Sequence, residues 1–458
     1  MPSLHRYLSF LWCPGDGTPL KAVRKLGPGE AMWVREGRIV RHWPWYQLPA
    51  FLGVSADLDK TSALIGTVSN LRQAVQRQMV ADVPVGAFLS GGLDSSAIVA
   101  FARELKSDIH CFTIESAEGG EEGSIDDLPY ARTVAKYLGV PLDVVTIDAT
   151  RMVSDLENMV AQLDEPLADP SALNVLYISQ LAREQGIKVL LSGAGGDDLF
   201  TGYRRHRAVQ AERYWRWLPH KVRSGLTKAT SSLNQHHALT RRITKLFSNA
   251  ILEGDNGLVE YFRWTREKDL LDLYTPETRE ALGKELAATP MLDFLQPLPY
   301  SIAPLDRMLA LEQRFFLTDH NLTYTDKMSM AMGVEVRVPF LDLDLVNFAA
   351  RIPLRLKQRG SEGKWILKKA MEPYLPHEVI YRSKSGFGAP LRRWMRHDMR
   401  ELLGDLLSVN SLQRRGLFDP VAVQRLIVNN DAGHVDASYT LLSLLCIEIW
   451  CRSYLDLN

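Results

Sequence analysis

Hydrophobic positions follow two regimes along the chain. From about residue 57, Leu64, Val68, Leu71 and Val75 recur at steps of three and four, the period of an amphipathic helix. Short apolar runs then alternate with helical stretches. Residues 83–89 read as a buried strand, 97–105 as a helix, 109–114 as a strand, 130–138 as a helix ended by Gly139, and 144–147 as a strand. A further helix is predicted over 172–184 and a strand over 187–191. This βαβα order predicts an α/β fold in which a parallel twisted sheet is flanked by helices on both faces. After about residue 203 the strand signal fades and helical spacing becomes general, as at Leu305, Met308, Leu309, Phe315 and Phe316, so the C-terminal half is expected to be largely helical.

The first 50 residues have a different character. They are rich in Trp, Pro and Gly, and Met32-Trp33-Val34 and Arg38-Ile39-Val40 flank Glu36-Gly37 like two strands around a turn. A lone hairpin is marginal in water, so this segment reads either as a β remnant packed on something larger or as an N-terminal arm. The expected organisation is therefore 1–50 as the remnant and 57–458 as the main unit, with an α/β core over 57–203 and a helical extension over 204–458.

Composition narrows the class. The chain has 458 residues, 46% hydrophobic and 24% charged, with 54 basic against 54 acidic side chains, which fits a globular protein of two or three cores. Zero net charge removes the electrostatic case for a general nucleic-acid or membrane-surface binder. Cys13, Cys111, Cys446 and Cys451 form no CxxC pair and read as core thiols of a reducing compartment. No apolar run approaches the roughly 18 residues that span a bilayer. Residues 5–13 imitate a signal peptide but are too short, with Trp12 where a small residue is needed, so a cytoplasmic location is expected. Arg204, Arg205, Arg207, Arg213 and Arg216, interleaved with Tyr203, Trp215 and Trp217, read as a solvated helical face.

Chemistry concentrates after the first core strand, in Leu89-Ser90-Gly91-Gly92-Leu93-Asp94-Ser95-Ser96. Successive glycines let backbone N–H groups turn toward an anion, the hydroxyls of Ser90, Ser95 and Ser96 add donors, and the following helix contributes its positive end. That describes a polyphosphate cradle. Asp94 would repel bare phosphate, so its presence points to Mg²⁺ between carboxylate and phosphate. The plainer alternative is a Gly-Gly turn with Asp94 as a helix cap. There is no GxxxxGK[ST] pattern. A second strand-to-loop unit, Ser192-Gly193-Ala194-Gly195-Gly196-Asp197-Asp198, repeats the chemistry, and Asp198 at the third glycine position argues against a dinucleotide fingerprint. If the two loops face each other at the carboxyl edge of the sheet, Asp94 and Asp197 could share one Mg²⁺.

The Ser-Gly-Gly-x-Asp-Ser-Ser order resembles the PP-loop of ATP pyrophosphatases. Together with Leu163 to Pro170, Ser192 to Tyr203, Asp326 to Ala331, Glu335 to Asp342 and Arg382-Ser383-Lys384-Ser385-Gly386-Phe387, it is similar to the synthetase part of glutamine-dependent asparagine synthetases and to the related β-lactam synthetases. The resemblance implies activation of a carboxylate by MgATP to an acyl-adenylate, then displacement of AMP by ammonia or another amine. It implies that Leu89 to Ser96 hold the pyrophosphate, that Asp94 and Asp197 bind Mg²⁺, and that Ser192 and Gly193 border AMP. Lys384 would stabilise charge during adenylation, and Glu335, Arg337 and Asp342 would line or brace the pocket. The structural alternatives are a surface Lys384, an ion pair of Glu335 and Arg337 on alternating strand faces, and a helix cap at Asp342.

Two departures qualify the family default. Pro2 follows Met1 where the family has a nucleophilic cysteine, so glutamine hydrolysis within this chain is not expected, and residues 4–48 resemble the last strands of a class II glutaminase domain. Ammonia would then come from solution, from a separate glutaminase subunit, or from the substrate's own amine. Ala194 stands where relatives carry Glu or Tyr, and Tyr324 where many carry Lys; both favour a bulkier carboxylate or amine. The expected ligands are ATP, Mg²⁺, a small carboxylate and ammonia or an amine, with aspartate as the default acid. Self-association is left open, and no nucleic acid or membrane is expected. The competing expectations are amidation or cyclisation of a uronic acid, β-amino acid or peptide, and a non-catalytic nucleotide-binding partner of a glutaminase.

Overall fold

The structure, a computed structural model, describes residues 1–54, 56–117, 126–231, 240, 243–244, 246–247, 249–299, 301–383 and 390–456. Helix α1 (Pro2–Phe10) opens the chain, with Pro2 in the first turn where its missing N–H costs nothing. Tyr7, Leu8, Phe10 and Trp12 are fully buried, and the Tyr7 hydroxyl donates to the Ser443 carbonyl at 3.0 Å. The start of the expected β remnant is thus a helix built into the same core as helix Ser438–Tyr454. Only the next stretch is β: β1 (Glu30–Arg35) and β2 (Arg38–Pro44) form an isolated antiparallel pair around Glu36-Gly37, with Trp33 and Ile39 about two-thirds exposed.

The main sheet is wholly parallel. Its strands β3 (Val85–Phe88), β4 (His110–Ser116), β5 (Leu142–Ile147), β6 (Val189–Leu191) and β7 (Glu335–Arg337) lie in the order β5-β4-β3-β6-β7. Helices α2 (Lys60–Gln78), α3 (Leu93–Leu105) and α4 (Leu128–Leu138) share one core with the sheet, and α5 (Ala149–Gln162) and α6 (Ser171–Glu184) pack with the helical half. The strands and helices predicted over 83–191 are all present. One element was not foreseen, α5, capped by Asp148; β7, the strand on which Glu335 and Arg337 were expected, enters the sheet more than 140 residues after β6. Strand order reverses between β3 and β6, so the chain leaves both at one edge of the sheet, in adjacent positions where doubly wound folds bind ligands. No helix among the described residues is long and apolar enough to cross a membrane.

Behind the second loop lie α7 (Gly196–Phe200) and α8 (Arg204–Ala211). Here the expectation of a solvated basic face fails for Arg205. Its guanidinium lies 4.3 Å from the Tyr203 ring centre, 4.6 Å from Phe262 and 4.2 Å from Phe316, and pairs with both carboxylate oxygens of fully buried Glu312. Glu312 opens a π-helical stretch, Glu312–Leu322, continuing helix Pro304–Leu311. Burial opposes its charge, but Arg205 and His206 outweigh burial and hold its carboxyl below the usual range. Glu312→Gln should leave Arg205 as a buried, half-paired charge and cost about 3–5 kcal/mol; urea unfolding checks this, and a loss within experimental scatter would refute the network's structural role.

Candidate active site

The first loop is held by its own hydroxyls. The Leu89 N–H donates to the Phe112 carbonyl at 2.9 Å, Ser90 Oγ accepts from the Gly92 N–H at 3.3 Å, and Ser95 Oγ lies 3.2 Å from Ser90 Oγ. Gly91 has φ +63°, and a Cβ there would lie 2.3 Å from the Ala131 nitrogen, so only glycine fits this turn against α4. Gly92 is the N-cap of α3 and offers no side chain to cap it. Ser96 Oγ is buried without a hydrogen-bond partner. The helix end therefore presents N–H groups and hydroxyls together, as anion binding requires.

The second loop lies directly on the first. Ser192 donates its N–H to the Arg337 carbonyl at 2.8 Å and accepts from the Ala194 N–H through Oγ at 3.2 Å. A Cβ on Gly193 would stand 2.6 Å from the Ser95 nitrogen, and one on Gly196 would stand 2.6 Å from the Asp94 carboxyl carbon. The absence of side chains at these positions lets the two turns touch. Asp94 and Asp197, expected to face each other, both pair with one buried ammonium, that of Lys364. Burial opposes the charge on Lys364, but Asp197 and Asp94 together hold the ammonium well above the ordinary lysine range.

Nothing in the motif spacing pointed to Lys364. It arrives from the helical half at the N-cap of helix Trp365–Met371, with left-handed φ of +55°, its N–H donating to the Phe200 carbonyl at 2.9 Å. The one local signal is Gly363 before it, where a Cβ would meet the Thr201 carbonyl oxygen at 2.1 Å. A non-glycine residue held at positive φ costs of order 1–3 kcal/mol and persists only where its surroundings fix it.

The other predicted residues divide. Asp198 is fully buried and accepts from the Tyr203 hydroxyl at 3.4 Å, on the side of the Arg205 network. Glu335 and Arg337 lie two residues apart on one strand and so share a face, correcting their assignment to alternating faces. They pair at 2.8 Å, and Arg337 also donates to the carbonyls of Gln78 and Val80 at 2.8 and 2.7 Å, bracing the end of α2. Asp342 caps helix Leu343–Ala350, accepting from the Asp344 N–H at 3.0 Å, and pairs with Arg77. These three side chains are engaged away from the Asp94–Asp197 pair. Lys384 lies outside the described residues. Tyr324 stacks edge-on against His320, and burial pushes its phenol well above the ordinary value. All four cysteines are buried and free; burial pushes Cys13, Cys111 and Cys446 to about 12 and Cys451 to about 11, which keeps them as thiols rather than nucleophilic thiolates.

A parallel sheet with two touching glycine loops at its strand-order reversal, hydroxyls at a helix start and two carboxylates on one cation defines an α/β nucleotide-type site. Comparison with known proteins agrees. The asparagine synthase family model matches residues 67–452, and the chain belongs to that family. It is 29% identical over 454 residues to asparagine synthetase [glutamine-hydrolyzing] 1 of Bacillus subtilis (strain 168), covering 98% of this chain and 68% of that protein. It is likewise 29% identical over 463 residues to a putative asparagine synthetase [glutamine-hydrolyzing] of Mycobacterium tuberculosis (strain ATCC 25618 / H37Rv), covering 99% of this chain and 68% of that protein. Amidase chyE of Penicillium rubens is 25% identical over 463 residues, covering 91% of this chain and 66% of that protein. The chain is an enzyme of the carbon–nitrogen ligase type that uses ATP to form amides.

The donor set suits Mg²⁺. Two carboxylates close enough to share one ammonium are hard oxygen ligands, and the glycine at 196 leaves room beside them. Lys364→Met should leave those carboxylates facing each other without a cation, lowering stability in EDTA by about 3–5 kcal/mol, with partial recovery in millimolar Mg²⁺. Thermal unfolding with and without Mg²⁺ reads this, and identical curves for the variant in both buffers would rule out a shared cation site.

Proposed function

We propose that this site adenylates a carboxylate and passes the acyl group to ammonia or an amine. A carboxylate oxygen of the substrate attacks the α-phosphorus of ATP, the bond from that phosphorus to the bridging oxygen of the β-phosphate breaks, and pyrophosphate leaves. The amine nitrogen then attacks the acyl carbon, the acyl–phosphate bond breaks, AMP leaves, and the nitrogen loses a proton. The observation that carries this reading is the contact of the two glycine loops with Asp94 and Asp197 converging on one cation.

In this reading the N–H groups and hydroxyls of Ser90 to Ser96 hold the two phosphates that depart. Asp94 and Asp197 hold Mg²⁺, which when bound neutralises charge between carboxylate and phosphate oxygens. Lys364 moves from the carboxylates toward the phosphates, and Ser192 and Gly193 border the nucleoside monophosphate. Lys384 is assigned, by family resemblance, the charge developing at the α-phosphate. Glu335, Arg337 and Asp342 act as braces. Residues 57–458 are assigned to the synthetase unit and the first 50 are likened to the end of a glutaminase domain; the exposed β1–β2 hairpin fits that division, whereas α1 belongs to the main core.

Aspartate is the default acid because two of the three relatives named above carry the name asparagine synthetase. A second reading, a bulkier carboxylate or an amine other than ammonia, is favoured by Ala194, which cannot exchange a proton, and by the amidase-named relative. Gly195, next to Ala194, packs against Leu341, and Leu341 and Leu199 line a cavity of about 320 Å³ behind the second loop whose lining includes no residue of the glycine loops. ATP–pyrophosphate exchange screened against aspartate, uronic acids, β-amino acids and carboxyl-bearing peptides tests both readings. Exchange should depend on one acid class and fall about a hundredfold or more in Asp94→Asn. Nucleotide binding without exchange for any acid would instead favour a non-catalytic subunit.

A further inference from the structure

The structure assigns a phosphate-binding role to Arg382, whose guanidinium Asp127 holds at the rim of the first glycine loop until a polyphosphate takes it over. The inference rests on reading Ser90 to Ser96 as the polyphosphate cradle. Arg382 follows helix His377–Ile380, and its side chain is only 7% exposed. Three contacts fix it. Nη1 lies 2.8 Å from Asp127 Oδ1, the guanidinium carbon lies 4.7 Å from the Tyr130 ring centre, and Nη2 lies 3.5 Å from the position a Cβ on Gly92 would occupy. The same Tyr130–Ala131 backbone receives Gly91. A buried cation is thus clamped between the start of α4 and the residue that caps α3, where the cradle's donors begin.

The pairing with Asp127 is close but poorly aimed. Although the two atoms are 2.8 Å apart, Arg382 Nη1 and Asp127 Oδ1 are both buried without an aligned hydrogen bond. A purely structural ion pair at this depth needs good geometry to offset desolvation. A phosphate offers what Asp127 does not, several oxygens arranged to accept the guanidinium fork. Asp127 then acts as a competitor that keeps Arg382 in place when the cradle is empty and draws it back when pyrophosphate leaves.

Calorimetric titration of the full-length chain with magnesium pyrophosphate tests this, with stopped-flow displacement for the release rate. Arg382→Gln should weaken pyrophosphate binding about tenfold or more, and Arg382→Lys should recover only part because an ammonium lacks the fork. Asp127→Asn should move the other way, tightening binding several-fold and slowing release. A structural pair predicts instead that Arg382→Gln and Asp127→Asn weaken binding together and lower the unfolding temperature alike; that result overturns the inference, as does unchanged affinity in Arg382→Gln. Failure of the unsubstituted protein to bind magnesium pyrophosphate or ATP would sink the cradle reading itself.

Discussion

The arrangement depends on backbone touching backbone between the two glycine loops. Gly193 rests on the first turn of α3 and Gly196 on the Asp94 carboxylate, at separations that no Cβ would allow. Sheet topology makes this contact available, because β3 and β6 are hydrogen-bonded parallel neighbours whose chains emerge at the same edge. The missing side chains then close the gap. With the loops in contact, Asp94 on the first turn of α3 and Asp197 on the first turn of α7 reach one ammonium, though they are about a hundred residues apart in the chain.

The helical half supports this contact from behind. α7 is only five residues long and cannot fix its own orientation. Asp198 accepts from the Tyr203 hydroxyl, and its carbonyl accepts from Gln313 Nε2 at 3.4 Å, on the π-helical stretch that also carries Glu312. Buried charges at Arg205 and Glu312 are costly to install and costlier to unpair, so such a network defines one position rather than a range of them. Neighbouring aspartates thus divide the work: Asp198 anchors α7 and Asp197 faces the other loop.

What the sequence disclosed, and what it hid, follows from the range of each signal. The loops were legible because a buried strand, successive glycines, hydroxyls and a carboxylate occur within a dozen residues, and that local order already implies an anion site at a helix start. Ser90 to Ser96, with Asp94 among them, and Ser192, Gly193 and Asp197 stand at the two strand-to-helix turns that follow β3 and β6. Lys364 was hidden because it arrives from more than 250 residues beyond the first loop, by tertiary packing that leaves no periodic trace; Arg382 stood in a quoted motif, but its place beside the first loop depends on the same long-range packing. Arg205 was misread because a run of arginines says nothing about the aromatic rings that fold over one of them. Glu335 and Arg337 failed on elementary strand geometry, since side chains two apart point the same way. α1 was missed because its apolar and aromatic residues bury a helix against the chain's last helix, a partner some 430 residues away.

The placement of Lys364 bears on how such a site remains folded without its ligand. Two carboxylates brought to one point repel, and burial raises the cost of both charges. A resident ammonium offsets that cost and, on the reading given above, yields its place to a metal ion that arrives with the nucleotide. Only a side chain has to move, because the Lys364 backbone is fixed by its N–H on the Phe200 carbonyl and by the close crossing of Gly363 over Thr201. On that reading the ammonium keeps its proton, because carboxylate partners that raise its affinity for a proton are exchanged for phosphate oxygens of the same sign. Arg382 stands in the same relation to Asp127 beside Gly92 of the first loop. On the proposed reading, Asp94, Asp197 and Asp127 each have two functions: to stabilise a cation while the site is empty, and to set how readily that cation is surrendered to a polyphosphate.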